Sequence, residues 1–431
     1  MLAWVLAVPS LIHVPLEQPP PSRRTLLHSV GMAGTVSSLL APLLPPPPAH
    51  ASAAPLSEAY AVRSDSSPRL SPSVARVSPA QLSRELSSRA KRAVFLGEHH
   101  DAAADHSLQA ALIRQLRAAR PEMAVGLEAV QQRFQPALDD YLAGRLDELE
   151  LEAATEWRRR WVWPFANYAP IFQVCRELRI PLLALNVDSE DLSAVEVGGL
   201  PALPPATLRR YIPDTDGFGA FATTTAFKEY VAYVVKPSYT MHQRMGILRT
   251  TITGQQLDQD MPFRNFFSGR ILWDEAMGSA AAAWCKEHPA GLLVGLVGSD
   301  HVKFGCGVPA RCARQLGALD AVASVMLNPR PSDTFSDPST STLSDGTVMS
   351  RRYTRDSNGG INFANYVLQL RFAPVAGDEG PPIIGSAPED RARAASVMQT
   401  TAGSAVLPLA DYLMFSTPAK TAMPSSPTAA T

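Results

Sequence analysis

The stretch that decides the fold is Lys91–Asp101, KRAVFLGEHHD. Ala93, Val94, Phe95 and Leu96 form an uninterrupted apolar run, the signature of a strand buried on both faces. A glycine, a carboxylate and two imidazoles follow. Strand packing asks for none of Glu98, His99 and His100, so these residues mark either a polar strand end or the edge of a site. Downstream, DHSLQAALIRQLRAARP carries Leu108, Leu112, Ile113 and Leu116 on one helical stripe, and Pro121 stops it. MAVGLEAV reads as a second strand and PLLALNV as a third, with FQPALDDYLAGRLDELELEAA and WRRRWVWPFANYAPIFQVCRELRI read as helices between them. A βαβαβ alternation of this kind predicts an α/β fold, a mostly parallel central sheet flanked by helices.

Working outward, residues of about 200–285 are expected to form an inserted helical subdomain ending in FRNFFSGRILWDEAMGSAAAAWCKEH. GLLVGLVGSDH and AVASVMLNP read as the fourth and fifth strands, NYVLQLRFAP as a further one, and ADYLMF as a last short element. Ser78 is a candidate cap for a helix starting at Pro79. Residues 52–75 read as a Ser/Pro/Ala-rich linker, 330–358 as a long surface loop and 416–431 as a tail, leaving a domain over 76–415.

The fourth strand repeats the motif of the first. Gly97-Glu98-His99-His100 and Gly298-Ser299-Asp300-His301 are both G-x-x-H at the end of an apolar strand. Loops after the C-termini of parallel strands line the ligand crevice. Glu128 stands where the second strand's apolar run ends, Asn186 ends the third, and Asp274 and Glu275 lie on the ILWDEAMG helix. Each alone is an ordinary loop, cap or surface residue. Together they offer one crevice the imidazole and carboxylate groups that Zn, Mn, Fe or Co accept, with a carboxylate left over as base. His99 and His106 are read as structural or supporting.

The 431 residues are 46% hydrophobic and 18% charged, with a formal net charge of −1, which gives no basic excess for nucleic acid. No CxxC pair, CxxCH, HExxH or G-x-S-x-G occurs, which argues against a zinc ribbon, covalent haem, a zincin and a serine esterase elbow. Cys306 and Cys312 flank a short loop and read equally as a disulfide or as two thiols. The segment 1–51 reads as a cleaved targeting signal: Arg23-Arg24 precede a weakly apolar stretch, and Ala49-His50-Ala51 fits small-x-small cleavage. With its acid-poor leader it suggests chloroplast import to the thylakoid lumen; without that leader it suggests bacterial periplasmic export. Peripheral membrane association and a homodimer stay open.

GEHHD, GLEAV, WPFANYAPIF, ALN, ILWDEAMG and GSDHVKFGCGVPAR occur in the order expected of the ChaN-like haem-binding uptake family, which the chain resembles over roughly 80–330. That family belongs with the Tiki metalloproteases, the TraB pheromone-shutdown proteins and the erythromycin esterases. The resemblance implies catalytic roles for Glu98, Glu128 and Arg311, metal ligation by His100, His301 and Glu275, and haem ligation by Tyr168; Asn186 and Asp300 join the candidate site by their place at the strand ends. Asp300 departs from the asparagine or glycine common there and adds a negative charge. The implied cofactor is haem or a divalent metal (Fe, Mn, Co or Zn), and the partner is haem or a small-molecule or peptide substrate. Three readings follow: a haem or iron-handling protein, a metal-dependent hydrolase of the Tiki type, or a non-catalytic interaction module.

Overall fold

A computed structural model describes residues 57–63, 73–223, 227, 231, 235–329, 347–355, 361–371, 406–407 and 410–416. The strands are β1 (Ser57–Arg63), β2 (Ser73–Val77), β3 (Ala93–Glu98), β4 (Met123–Gln131), β5 (Leu182–Asn186), β6 (Leu292–Gly298), β7 (Val322–Leu327), β8 (Thr347–Arg355), β9 (Ile361–Arg371), β10 (Val406–Leu407) and β11 (Tyr412–Ser416). Eight of them form one sheet in the order β2-β1-β11-β7-β3-β6-β4-β5, and β10-β8-β9 form a small second sheet. From β11 to β5 every neighbouring pair is parallel, while β1 pairs antiparallel with β11 and β2. The α/β fold with a mostly parallel sheet is therefore the one the opening stretch implies.

The chain leaves β3 toward β4 and β5, then returns to insert β6 between β3 and β4 and places β7 on the far side of β3. Crevices form at such reversals, outside the strand C-termini. Alternation along β3 fixes what faces what. Val94 and Leu96 pack in the larger core cluster with helix Ala103–Ala119 (Leu108, Leu112, Leu116) and helix Phe165–Glu177 (Tyr168, Phe172). Ala93 and Phe95 face the opposite layer, with Met277 and Ala281 of helix Phe263–Glu287 and Val308 and Cys312 of helix Val308–Leu316. Gly278 lets those last two helices close, since a Cβ there would stand 2.5 Å from the Arg311 Cβ.

Ser78 caps helix Pro79–Leu86 by accepting from the Gln81 N–H at 3.1 Å, as expected. The insertion is mainly helical, with Pro205–Tyr211, Thr215–Thr223, Lys236–Arg244 and Phe263–Glu287.

Several boundaries differ from the expectations. Residues 57–63 are strand β1, not linker. Behind the small-residue composition lies an alternation: Ala59 and Ala61 pack in one core cluster, Tyr60 and Val62 in another. Residues 347–355, expected in the surface loop, are strand β8. Residues 134–154, expected as one helix, hold two, Gln135–Leu142 and Glu148–Ala154, broken at Gly144, whose φ is +75°. The tryptophan-rich helix is also broken: Pro164 separates Trp157–Arg160 from Phe165–Glu177. All four cysteines are free and buried. Cys306 lies in the cluster with Phe266 and Phe415, whereas Cys312 lies with Phe95 and Cys285, so the disulfide alternative is not realised. Among the described residues no helix is long and apolar enough to cross a membrane. The targeting segment 1–51 and residues 417–431 lie outside the described residues.

Candidate functional site

The C-terminal ends of β3, β4 and β6 bring the two G-x-x-H motifs together. His301 Nε2 lies 3.2 Å from Glu128 Oε1, and His100 Nε2 lies 3.9 Å from Glu128 Oε2. Each imidazole is anchored at its other nitrogen by a buried carboxylate. His100 Nδ1 stands 2.7 Å from Glu98 Oε1, and His301 Nδ1 stands 2.5 Å from Asp274 Oδ1. The order Glu98–His100–Glu128–His301–Asp274 thus alternates carboxylate and imidazole across the crevice.

Local structure explains the placement. Glu98 has the parity of Val94 and Leu96, so it turns toward the helices on that face. There Gln109 donates to its Oε2 at 2.5 Å, the Tyr168 hydroxyl donates to Oε1 at 2.8 Å, and His106 Nε2 lies 3.4 Å away. The β4–β5 register shifts between Leu127 and Gln131, an irregularity spanning Glu128, and such irregularities re-aim side chains beside sites. Asn186 donates to the Glu128 carbonyl at 2.8 Å, and the Gly298 N–H donates to Glu128 Oε2 at 2.5 Å. Glycine is required at 298 because a Cβ would sit 2.5 Å from His100 Nε2. Trp163 and Trp161 wall the His100 ring at centroid distances of 4.2 and 5.0 Å, and Trp273 lies 5.6 Å from the His301 ring.

Burial alone would raise the carboxyl pKa values and lower those of the imidazoles. The pairing reverses this. Burial opposes ionisation of Glu98, but hydrogen bonds and charge from His100 and His106 hold it well below the usual carboxylate range. Glu128 is likewise lowered against its burial by His301, His100 and the Gly298 N–H. His100 is raised: burial works against the imidazolium, and Glu128 and Glu98 outweigh it. His301 is raised to about 9, where burial and Arg270 are overcome by Glu128 and Asp274. Tyr168 is pushed well above 10 by burial and the Glu98 charge.

Some expectations need correction. Glu275 is one residue from Asp274 but faces away: it is paired with Arg311 at 2.9 Å and Gln315 at 3.0 Å, and also with Arg314. Asp274, not Glu275, reaches His301. Arg311 is wholly buried against Glu275, with its guanidinium 4.5 Å from the Phe221 ring centroid, so it is spent as a core ion pair and does not face the crevice to stabilise an anion. Tyr168 is 2% exposed, neutral and committed to Glu98, which removes the phenolate a haem iron would need. The extra charge of Asp300 is met by Lys303 at 2.5 Å. His99 is structural: its backbone N–H and Nδ1 lie 2.7 and 3.0 Å from Asp105 Oδ2. Sequence reasoning missed Gln109, although it and His106 are polar positions on an otherwise apolar buried stripe, three residues apart.

Among the described residues no three His, Cys, Asp or Glu side chains stand in metal-holding geometry. The same residues do fit a haem iron at one point. A metal-binding histidine usually gives its second ring nitrogen to a carboxylate. His100 does so through Glu98, and its side chain is 14% exposed against 6% for His301.

Comparison with known proteins adds the following. The profile of the family described as haem-binding uptake, Tiki superfamily, ChaN matches residues 86–312, just over half of the chain. A curated relative, the Arabidopsis thaliana protein RETICULATA-RELATED 5, chloroplastic, is 25% identical over 254 residues. That match covers 55% of this chain and 31% of the relative, so the chain spans about a third of the relative's length. Similar solved structures include cofacial haem binding to ChaN of Campylobacter jejuni (16% identity, 63% of this chain and 91% of that one, TM-score 0.43). An erythromycin esterase mutant, EreC, in its open conformation is also similar (14% identity, 77% and 91%, TM-score 0.36).

Proposed function

The chain belongs to the haem-binding uptake family of the Tiki superfamily, ChaN, and from that premise we propose that it binds haem through His100 and serves in haem or iron handling. The observation that supports this reading is the state of the His100 ring. Its Nδ1 is fixed by Glu98, its Nε2 faces the crevice beside Glu128, and two indoles flank it. Bound haem would supply an iron centre able to change ligand and oxidation state. The chain's own part is to orient and shield. Gln109 and Tyr168 hold Glu98, Glu98 sets the imidazole tautomer, and Trp161 and Trp163 exclude water. The test is a hemin titration followed in the visible spectrum. A Soret shift is expected for the wild type and for Tyr168→Phe, and its loss for His100→Ala. An unchanged shift in His100→Ala would remove this reading.

A second reading, a metal-dependent hydrolase, is favoured by one specific observation: both Nε2 atoms face the same Glu128 carboxylate. A divalent cation displacing their protons would have two imidazoles and a carboxylate, with Glu98 and Asp274 behind them. Elemental analysis of the purified protein before and after dialysis against Mn, Fe, Co or Zn separates the two. Stoichiometric metal lost in His301→Ala supports the hydrolase.

The chloroplast is the proposed compartment. Support comes from the printed location of the Arabidopsis thaliana relative and from the Arg23-Arg24 segment, which suggests the thylakoid lumen as the finer destination. Import into isolated chloroplasts, followed by fractionation, checks both.

A further inference from the structure

Cys285 and Cys312 come from different helices but stand side by side in the fold. Cys285 is in the last turn of helix Phe263–Glu287, and Cys312 is in the middle of helix Val308–Leu316. Both side chains are buried and pack in the cluster that holds Phe95 and Ala281. The two helices close tightly, since a Cβ on Gly278 would stand 3.1 Å from the Cys312 backbone nitrogen. About two turns further along the first helix, the Cys285 sulfur accepts a hydrogen bond from the Cys312 thiol. The Cys285 thiol in turn donates to the Arg92 carbonyl at 3.2 Å.

The two thiols are not equivalent. The hydrogen bond from Cys312 holds the Cys285 pKa below that of an ordinary thiol against its burial, and the Arg92 charge and the Leu293 N–H act the same way. Cys312 is pushed well above an ordinary thiol by its bond to Cys285 and by burial. A lowered thiol beside a raised one is the arrangement of an attacking and a resolving cysteine. Position agrees with this. Lys286 and Glu287, which follow Cys285, are exposed, so opening the last turn of the helix uncovers Cys285 first. The other two cysteines lie elsewhere, Cys175 in the cluster of Trp157 and Phe172 and Cys306 with Phe266 and Phe415.

We propose that Cys285 and Cys312 are a redox-modification site, joined as a disulfide by exchange with a disulfide oxidant such as oxidised glutathione. The Cys285 thiolate attacks one sulfur of the oxidant and forms a mixed disulfide. The oxidant's other sulfur leaves as a thiolate and takes up the proton that Cys285 gave up. The Cys312 thiolate then attacks the Cys285 sulfur, which forms the S–S bond and releases the remaining sulfur of the oxidant to take up the Cys312 proton. The two cysteines lose two electrons, and the oxidant's disulfide is reduced to two thiols. The bond closes a loop over residues 286–311, which contains β6 and His301. It also ties helix Phe263–Glu287, the carrier of Asp274, to helix Val308–Leu316. The inference goes beyond the haem reading and does not rest on it, because it uses neither the histidines nor iron.

The experiment uses the full chain, first reduced and then held in glutathione disulfide. The remaining thiols are alkylated in denaturant and the peptides are mapped by mass. A peptide pair linked through Cys285 and Cys312 is expected, with Cys175 and Cys306 alkylated. Cys312→Ser should stop the exchange at its first step and leave glutathione on Cys285, whereas Cys285→Ser should leave Cys312 alkylated and free of glutathione. Closing the loop restricts the unfolded chain, so the unfolding equilibrium constant of the oxidised protein should lie about 30-fold below that of the reduced protein. Four free thiols in the oxidised sample, a link to Cys175 or Cys306 in place of the expected one, or an oxidised protein less stable than the reduced one would each overturn the proposal. The mapping is made on the wild type, so it decides the matter even if a variant fails to fold.

Discussion

Replacing Asp274 by Asn tests the electrostatics of the site with a change of one atom. In the wild type His301 lies between Asp274 at 2.5 Å and Glu128 at 3.2 Å, both buried. Its pKa rises from the ordinary 6.5 to about 9. At about 1.4 kcal/mol per pH unit, that difference amounts to about 3 kcal/mol of preference for the imidazolium in the folded state. The sign follows directly. A raised imidazole pKa stabilises the fold fully below about 6.5, and the contribution fades as pH climbs through about 9. Asp274 is one of two carboxylates responsible, so Asp274→Asn should remove about half, roughly 1.5 kcal/mol at pH 6, and the deficit should shrink as pH climbs toward about 9. Urea unfolding of both proteins at intervals from pH 6 to pH 10 reads this as converging curves. The His301 ring proton signal should titrate near 9 in the wild type and lower in the variant. Parallel stability curves across that window, or a wild-type His301 titrating at 6.5, would refute the reasoning.

Other outcomes follow from the same geometry. Glu98→Gln places an amide where Gln109, Tyr168 and His100 converge on one buried carboxylate, so unfolding free energy should drop by about 2–4 kcal/mol in chemical denaturation. Gly298→Ala drives a methyl into the His100 Nε2 position, 2.5 Å away; hemin affinity should fall about tenfold in a Soret titration while far-UV dichroism stays that of the wild type. Protons compete with iron for His100, whose pKa is raised by the surrounding carboxylates, so hemin affinity should begin to fall at a pH above the 6.5 of a free imidazole and decline about tenfold per pH unit below that point. A midpoint at or below 6.5 in spectrophotometric titrations would contradict the assigned environment.

Much of the site was legible because strand ends are legible. An apolar run of five or six residues, a glycine and a histidine predict both the element and the rim on which its polar residues fall, and two copies predict convergence. Helical residues were harder to place. Asp274 and Glu275 are neighbours in sequence yet point about 100° apart on a helix, so only the helix's rotation against β6 decides which meets His301. That rotation is set by packing at Gly278 and Arg311, partners distant in the chain. Tyr168 illustrates a different limit. Its identity and its place after the tryptophans suit a ligand, but its burial and its bond to Glu98 arise only from the packing of helix Phe165–Glu177 on helix Ala103–Ala119. Strand β1 escaped notice because Ala59 and Ala61 are too small to announce a core position by hydrophobicity. The contact between Cys285 and Cys312 could not be read at all, since the helices that carry them meet only in the fold.

The central claim is that His100, oriented by Glu98, is the group presented to iron. Pulsed electron paramagnetic resonance of the hemin-loaded protein, with and without 15N-histidine labelling, tests it most directly. The account predicts hyperfine coupling to one histidine ring nitrogen in the wild type and in His301→Ala, and its disappearance in His100→Ala. Coupling that persists in His100→Ala, or a wild-type spectrum without histidine nitrogen, would contradict it.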